Sequence, residues 1–412
     1  MSRNDARRSA GPPLARDEFD FEEGVLWVLH CAEGPVPLEA ARAVHELLPR
    51  ETRPWSLRWE EDFLAIPERA RGECARLVGG VPEDVTLTAT TSTGLVTVAQ
   101  SYPWQAGDEV LVPLGEFPSN AWPWMALAAR GVEFRETPLW DGQRSGRDAW
   151  ASSPPDRGVE PEERLLEAAG PRTRVLSVSW VRFQDGLRLD LRRLAEGCAD
   201  RGIHLVVDGI QGAGTLPLDP EGISAFASGG HKGLLCPQGM GFLWTDPSFR
   251  ESLFPAGSWL SVEDATDFDR PSTDFRRDWA TDGTRLEQGV PNLLGAAALT
   301  ASLRLLNDAG IDAVARHVAR LQGRMIEGLA RIPVLEKEAR RLGGLLEGGR
   351  LGSILALHHG GRGPAGLARM LEEARLRRIF ASVREGYLRI ALHGWHDELD
   401  VERILEWLAR SA

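Results

Sequence analysis

LVVDGIQGAGTLPLD, residues 205–219, and SGGHKGLL, residues 228–235, decide the reading of this chain. The first continues a short apolar run, Ile203–Val207, of the kind that makes a strand buried on both faces. The run ends on Asp208, where open α/β sheets set their ligands, beyond the carboxyl ends of the strands. A carboxylate there is unfavourable unless it meets a cation or bonds the loop amides. The second stretch holds Lys232 among two glycines, a histidine and a third glycine, so its backbone turns tightly. Composition singles this lysine out: of 48 basic residues only Lys232 and Lys337 are lysines. Arginine replaces lysine well enough as surface charge, but a guanidinium cannot act as the primary amine of a Schiff base. Lys337, in LEKEARR (residues 335–341), reads as a solvated helix face.

Outward from this centre, strand-like and helical stretches alternate. Strands are expected at Val85–Ala89, Glu109–Val112, Val132–Glu136, Val175–Trp180, Ile203–Val207 and Met240–Thr245. Helices are expected from about Leu95, near Trp122–Arg130, and over about Leu191–Arg201, the last long enough for a crossover. Such alternation implies a doubly wound, mainly parallel sheet with helices on both faces. After about Gly295 the pattern changes to long helices, Ala296–Asn307 and Ile311–Arg331. Short strands follow near Ser353–His358 and Tyr387–Leu392, then a terminal helix from Asp400. The division expected is an N-terminal arm at 1–28, partly flexible, a large domain at 29–294 and a small α+β domain at 295–412. Surface loops are expected at Asp141–Glu163 and Arg340–Gly352.

A net charge of -12 disfavours nucleic acid and anionic membrane as partners. No apolar stretch approaches the roughly 20 residues that span a bilayer. Met1–Asp20 is polar and Arg-rich, without the apolar core of a signal peptide. Cys31, Cys74, Cys198 and Cys236 are scattered, which suggests no disulfide framework and no metal site and fits a reducing cytoplasm.

A third segment supports the first two. ATTSTGLVTVAQ, residues 89–100, is a strand end, a hydroxyl run and a helix start. Hydroxyls and free N–H groups at a helix N-terminus cradle phosphate, although any Ser/Thr cap looks similar. Together the three give one anchor for a phosphate, one for a ring nitrogen and one for an imine. That order resembles the class V aminotransferase family, fold type I of the pyridoxal-phosphate enzymes, from about Leu29 to Leu408. The most specific matches are D-G-I-Q at Asp208–Gln211, G-H-K at Gly230–Lys232 and R-L-E-Q-G-V-P-N at Arg285–Asn292. The chain is most similar to the branch of cysteine desulfurases, selenocysteine lyases, kynureninases and isopenicillin-N-epimerase-like proteins.

The resemblance implies the following roles. Lys232 carries the pyridoxal 5'-phosphate as a Schiff base and later shuttles the substrate Cα proton. Asp208 pairs with the pyridinium, and Gln211 bonds the cofactor's phenolic oxygen. Thr91, Ser92, Thr93 and His231, with Ser228, hold the phosphate, and Phe117 stacks on the ring. Arg389, in YLRIAL, clamps the substrate α-carboxylate, a bidentate task suited to guanidinium. The alternative for Arg389 is a surface pair with Asp397 or Glu398. Glu33, Trp180 and Arg182 border the substrate. The segment around Val290 completes the phosphate site of a second subunit, which implies a homodimer with a shared site. The family's threonine is replaced there by Val290, so contact falls to backbone N–H groups.

Two further departures bear on the reaction. Desulfurases place a histidine where Phe117 stands, and they carry a nucleophilic cysteine ahead of the arginine, where Phe380–Leu388 has none. Both argue against persulfide transfer. The expected substrate is a small-molecule amino acid and the expected reaction a lyase-type elimination. Transamination, epimerisation and a non-catalytic cofactor-binding sensor module stand as alternatives.

Overall fold

The computed structural model describes residues 11–144, 160–358 and 363–411. Seven strands build the central sheet: β1 Val85–Thr88, β2 Glu109–Pro113, β3 Glu133–Thr137, β4 Thr173–Ser179, β5 His204–Asp208, β6 Ala225–Gly229 and β7 Gly241–Thr245. Their spatial order is β1-β7-β6-β5-β4-β2-β3. β7 runs antiparallel to β1 and β6, and the other pairs are parallel. This is the mainly parallel, helix-covered sheet expected from the alternating pattern.

The two-residue period of the strands explains why both faces are covered. Val110, Val112, Val175 and Val206 point to one side and pack with Leu95, Val98 and Trp124. Their neighbours Leu111, Leu176, Leu205 and Val207 point to the other side and join the larger core. Burying each such side chain stabilises the fold by about 1.5–3 kcal/mol. The strands therefore read as continuous apolar runs, and their carboxyl ends, where Ser179, Asp208 and Gly229 emerge, form one rim.

A smaller unit contains the antiparallel strands Ile354–His358, Ser382–Arg384 and Tyr387–Ala391. The helices Ile311–Leu329, Glu336–Glu347, Gly363–Leu376 and Glu398–Ser411 accompany it. Residues 11–28 pack here too. Leu26–Trp27 pairs in parallel with Ile379–Phe380, Leu14 N donates to Gly394 O at 3.1 Å, and Arg16 pairs with Asp400 at 3.1 Å. Leu14 and Phe19 are buried, so this part of the expected loose arm is docked. Residues 1–10 lie outside the described residues.

Three local expectations need correction. Arg340–Gly352 is not a loop through most of its length: the helix Glu336–Glu347 runs into it. Ala339, Leu342 and Leu345 are spaced by three, share a face and are buried. Arg341 reaches back to Glu338 and to Ala356 O, at 2.8 and 2.7 Å. The loop expected over Asp141–Glu163 ends early, because Pro161 opens a helix, Pro161–Ala168; its residues 145–159 lie outside the described residues. The strand Ala225–Gly229 was not expected, since AFASG is rich in small residues and lacks a β-branched run. No helix among the described residues is long and apolar enough to cross a membrane.

Candidate active site

The loop after β6 is held from several sides. Gly34 N donates to His231 O at 2.7 Å, Leu235 N to Lys232 O at 3.1 Å and Cys236 N to Gly230 O at 2.9 Å. Two glycines permit this closeness: a Cβ on Gly34 would stand 2.1 Å from Lys232 O, and one on Gly233 2.3 Å from Ala213 O. Leu235 is fully buried with φ +59°, a conformation that costs about 1–3 kcal/mol and persists only where its surroundings impose it. The lysine is thereby fixed at the backbone and aimed into a cleft of about 320 Å³ at the sheet rim.

Asp208 and Arg389 line the same cleft. Asp208 is 3% exposed, and its carboxylate accepts from Ile210 N at 3.1 Å. Burial is the main cause that raises its pKa, to about 7; the Ile210 N–H and Lys232 oppose this, and the charge of Glu116 adds to it. Burial likewise lowers the pKa of Lys232, while Asp208 works against that shift. Lys232 Nζ stands 5.6 Å from the ring centroid of Phe117, which meets Phe183 edge-on at 5.1 Å.

The helix Thr91–Ser101 brings its N-terminus to this cleft. Thr90 is the cap and accepts from Thr93 N at 3.0 Å. Thr91 Oγ1 accepts from Gly229 N at 2.8 Å, which ties the helix start to the end of β6. Ser92 Oγ bonds Ser119 Oγ at 2.7 Å. His231 borders the cleft, and burial lowers its pKa. Thr93 is turned toward Thr90, 2.9 Å between hydroxyls. It lines a neighbouring groove with Val290, which is 59% exposed. Ser228 is fully buried and bonds Gly229 O.

Arg389 is 3% exposed and makes no ion pair among the described residues. Its Nε donates to Ser382 Oγ at 3.1 Å and its Nη1 to Phe183 O at 2.7 Å. Burial lowers its pKa. The alternative pairing is not formed: Glu398 takes Arg320 and Arg324, and Asp397 caps Asp400 N. A buried guanidinium held by two neutral oxygens retains donors for an anion.

Other expected residues are placed less centrally. Gln211 donates to Cys31 O at 3.0 Å on the cleft wall. Glu33 accepts from Gln238 at 2.9 Å, near enough to His231 and Lys232 for its charge to oppose in part the lowering of both pKa values by burial. Trp180 is 2% exposed and belongs to the core. Arg182 pairs with Asp185 at 3.0 Å and lines the adjacent hollow, not the lysine cleft. Sequence reasoning did not anticipate Cys31, Ser119, Phe183 and Arg384, which the fold gathers at the lysine. It also passed over Glu116, held by Ser179 N at 2.8 Å and by Ser179 Oγ. Each stands alone in the sequence, without a motif to mark it.

The smaller unit touches the lysine loop through His393, whose Nε2 donates to Gly233 O at 3.0 Å while Nδ1 accepts from Gly394 N at 2.7 Å. Both nitrogens are used by the neutral ring. Burial lowers its pKa to about 3, and burial lowers those of His30 and His396 as well. These rings stay neutral in the fold while the unfolded chain protonates near pH 6.5. Their stabilisation is thus present above pH 6.5 and lost as pH falls toward the folded values. Thermal melts should show Tm falling between pH 7 and 5, with a shallower slope in His393→Gln; equal slopes would remove His393 from this role.

The family model described as Aminotransferase class-V matches residues 56–373. An uncharacterized aminotransferase of Bacillus subtilis is 25% identical, over 97% of each chain. Isopenicillin N epimerase of Streptomyces clavuligerus is 32% identical over 61% of this chain and 55% of its own length. A probable cysteine desulfurase of Methanothermobacter thermautotrophicus is 28% identical over 77% and 73%. Among solved structures, the cystine C-S lyase C-DES in complex with cysteine persulfide superposes with a TM-score of 0.78. It is 22% identical, and the match covers 93% of this chain and 97% of that one. A lysine mutant of C-DES with glycine covalently linked to its PLP cofactor gives 0.79, again at 22% identity, covering 96% and 98%.

Proposed function

This chain belongs to the class V aminotransferase family, and from that premise we propose a pyridoxal 5'-phosphate-dependent lyase that breaks a Cβ–S or similar bond of a small amino acid. The observation that carries this reading is the convergence of Lys232, Asp208 and Arg389 on one cleft. The cofactor fits this residue set. Asp208 is buried without an ion pair among the described residues, and burial raises its pKa; a protonated ring nitrogen would be its match. Thr91, Ser92 and His231, with Ser119, present hydroxyls, an imidazole and a helix N-terminus to a phosphate. Phe117 offers a ring face beside the lysine.

Bound pyridoxal phosphate supplies an electron sink conjugated to the substrate Cα. The chain's own residues do the rest. Lys232 would hold the cofactor, and its amine would move the proton at the substrate Cα. Its burial lowers the pKa of the amine, which suits a base. Asp208 keeps the ring nitrogen protonated. Arg389 takes the α-carboxylate and so fixes which Cα bond breaks. Cys31 lines the cleft but is 1% exposed, and the Phe380–Leu388 segment has no cysteine, so persulfide transfer is not part of this reading.

The lyase reading draws on the cystine C-S lyase and the desulfurases among the similar proteins. The epimerase and the aminotransferase among them define the rival outcomes. Product analysis separates the three. Incubation should release pyruvate and ammonia with the sulfur leaving group, sulfide from cysteine and cysteine persulfide from cystine. Accumulation of the pyridoxamine form of the cofactor would mean transamination, and loss of optical activity alone would mean epimerisation.

The reading includes a homodimer in the cytoplasm. Trp259 (45% exposed), Phe268 and Val290 (both 59%) share an apolar groove with Trp59 and Phe63, the kind of patch that a second subunit covers. All four cysteines are free and buried, which suits a reducing compartment.

A further inference from the structure

The cleft carries a cation to which the reading above gives no task. Lys232, Arg384 and Arg389 line it, and Asp208 is the carboxylate among its lining residues. In the reading above, Asp208 faces the ring nitrogen, Lys232 is taken up in the link to the cofactor, and Arg389 meets the α-carboxylate. Arg384 is given no partner in that reading.

Its placement is ordered. Ser382–Arg384 and Tyr387–Ala391 form an antiparallel hairpin in which Ser382 faces Arg389 and Arg384 faces Tyr387. Residues opposite each other in such a pair project to the same side, as do residues two apart. Ser382, Arg384, Tyr387 and Arg389 therefore share one face. The two residues of the turn, Glu385 and Gly386, have φ of +47° and +81°, the signs of a tight hairpin turn matched to strand twist. Arg384 is thus carried on a short hairpin and is exposed at the cleft, while Arg389 sits deeper and buried. Arg384 forms no ion pair among the described residues. Its charge acts on both Arg389 and Glu385.

We propose that Arg384 is a specificity-determining residue that binds a second anionic group at the far end of the substrate. The substrate class is an α-amino acid whose side chain carries a carboxylate, sulfinate or sulfonate. With Lys232 defining the α-nitrogen and Arg389 the α-carboxylate, the side chain is the substituent left to run outward, and Arg384 stands at the outer position. A charge-assisted guanidinium bond discriminates an acid from its amide because the amide leaves the cation unmatched.

The test rests on the proposed function but can be read apart from it. Purified holoenzyme is titrated with L-aspartate, L-glutamate and L-cysteine sulfinate, and with L-asparagine and L-glutamine as neutral counterparts. Binding is followed by calorimetry as well as by the cofactor spectrum. At least one acid should bind about tenfold tighter than its neutral counterpart. In Arg384→Gln that ratio should collapse toward one, and Arg384→Lys should restore part of it. Equal binding of acids and amides by the wild type, or a preference that survives Arg384→Gln, overturns the proposal. Absence of an attached cofactor in the protein's own spectrum would instead overturn the functional reading, and the calorimetric ratio would still decide the role of Arg384.

Discussion

Lys232→Ala should leave a folded protein without a covalently attached cofactor, with turnover at least about 10³-fold lower. Reduction of the wild type with borohydride, followed by peptide mapping, should place the label on Lys232. The structural reason is the confinement of this one amine. Its loop is bonded from the Gly34 side and the β7 side, where Gly230 N donates to Met240 O at 2.8 Å. The other lysine, Lys337, is exposed on the helix Glu336–Glu347. The alanine variant should keep its fold because no hydrogen bond or ion pair among the described residues depends on Nζ; what it loses is a partly buried ammonium. A label on Lys337, or a Lys232→Ala variant with normal turnover, would end the assignment.

Asp208→Asn should lower kcat by about 10²–10³-fold, the scale of removing one preorganised electrostatic contact to a reacting system, while the cofactor still binds. The same substitution should have the opposite effect on stability when the cofactor is absent. In the empty cleft the Asp208 carboxyl keeps its proton up to about pH 7, against 3.8 for an ordinary aspartate. The stability tied to that proton is fully present below pH 3.8 and is lost as pH rises through about 7. Cofactor-free Asp208→Asn, which has no such titration, should therefore melt at or above the wild type at pH 8. With cofactor bound the order should reverse, because the ring nitrogen then matches the carboxylate. A variant that is less stable than the wild type in both states would mark Asp208 as a structural residue of its loop.

The anchors were legible in the sequence because each carries a local signal. Asp208 ends an apolar run, Lys232 is one of two lysines, and Thr91–Thr93 open a helix. Arg389 was legible through its strand, where Leu388 and Ile390 are buried on either side of it. The rest of the site is a property of the fold. Ser119 meets Ser92 only because the loop after β2 reaches the N-terminus of the helix Thr91–Ser101. Cys31 arrives from a segment that follows a two-residue strand. Trp180 shows the converse: it follows β4 at the rim, but strand alternation sends its ring to Phe226 in the core, at 6.0 Å. Thr93 belongs to the hydroxyl run by sequence, yet the cap geometry turns it toward Thr90. Sequence spacing could place these residues near the rim, but not on its inner or outer side.

The pairing of Leu26–Trp27 with Ile379–Phe380 also orders the history of the molecule. The two strands are separated by more than 350 residues of chain, and closing so long a loop is slow and entropically unfavourable. The seven-stranded sheet, complete at Thr245, can collapse while the ribosome is still making the second unit. Arg389 and His393 emerge long after Thr245, and only once residues 379–380 have emerged can the N-terminal segment find its partner strand. A nascent chain should thus present the lysine rim before Arg389 reaches it, and chains halted short of residue 379 should leave Leu14, Phe19 and Leu26 exposed to chaperones and proteases.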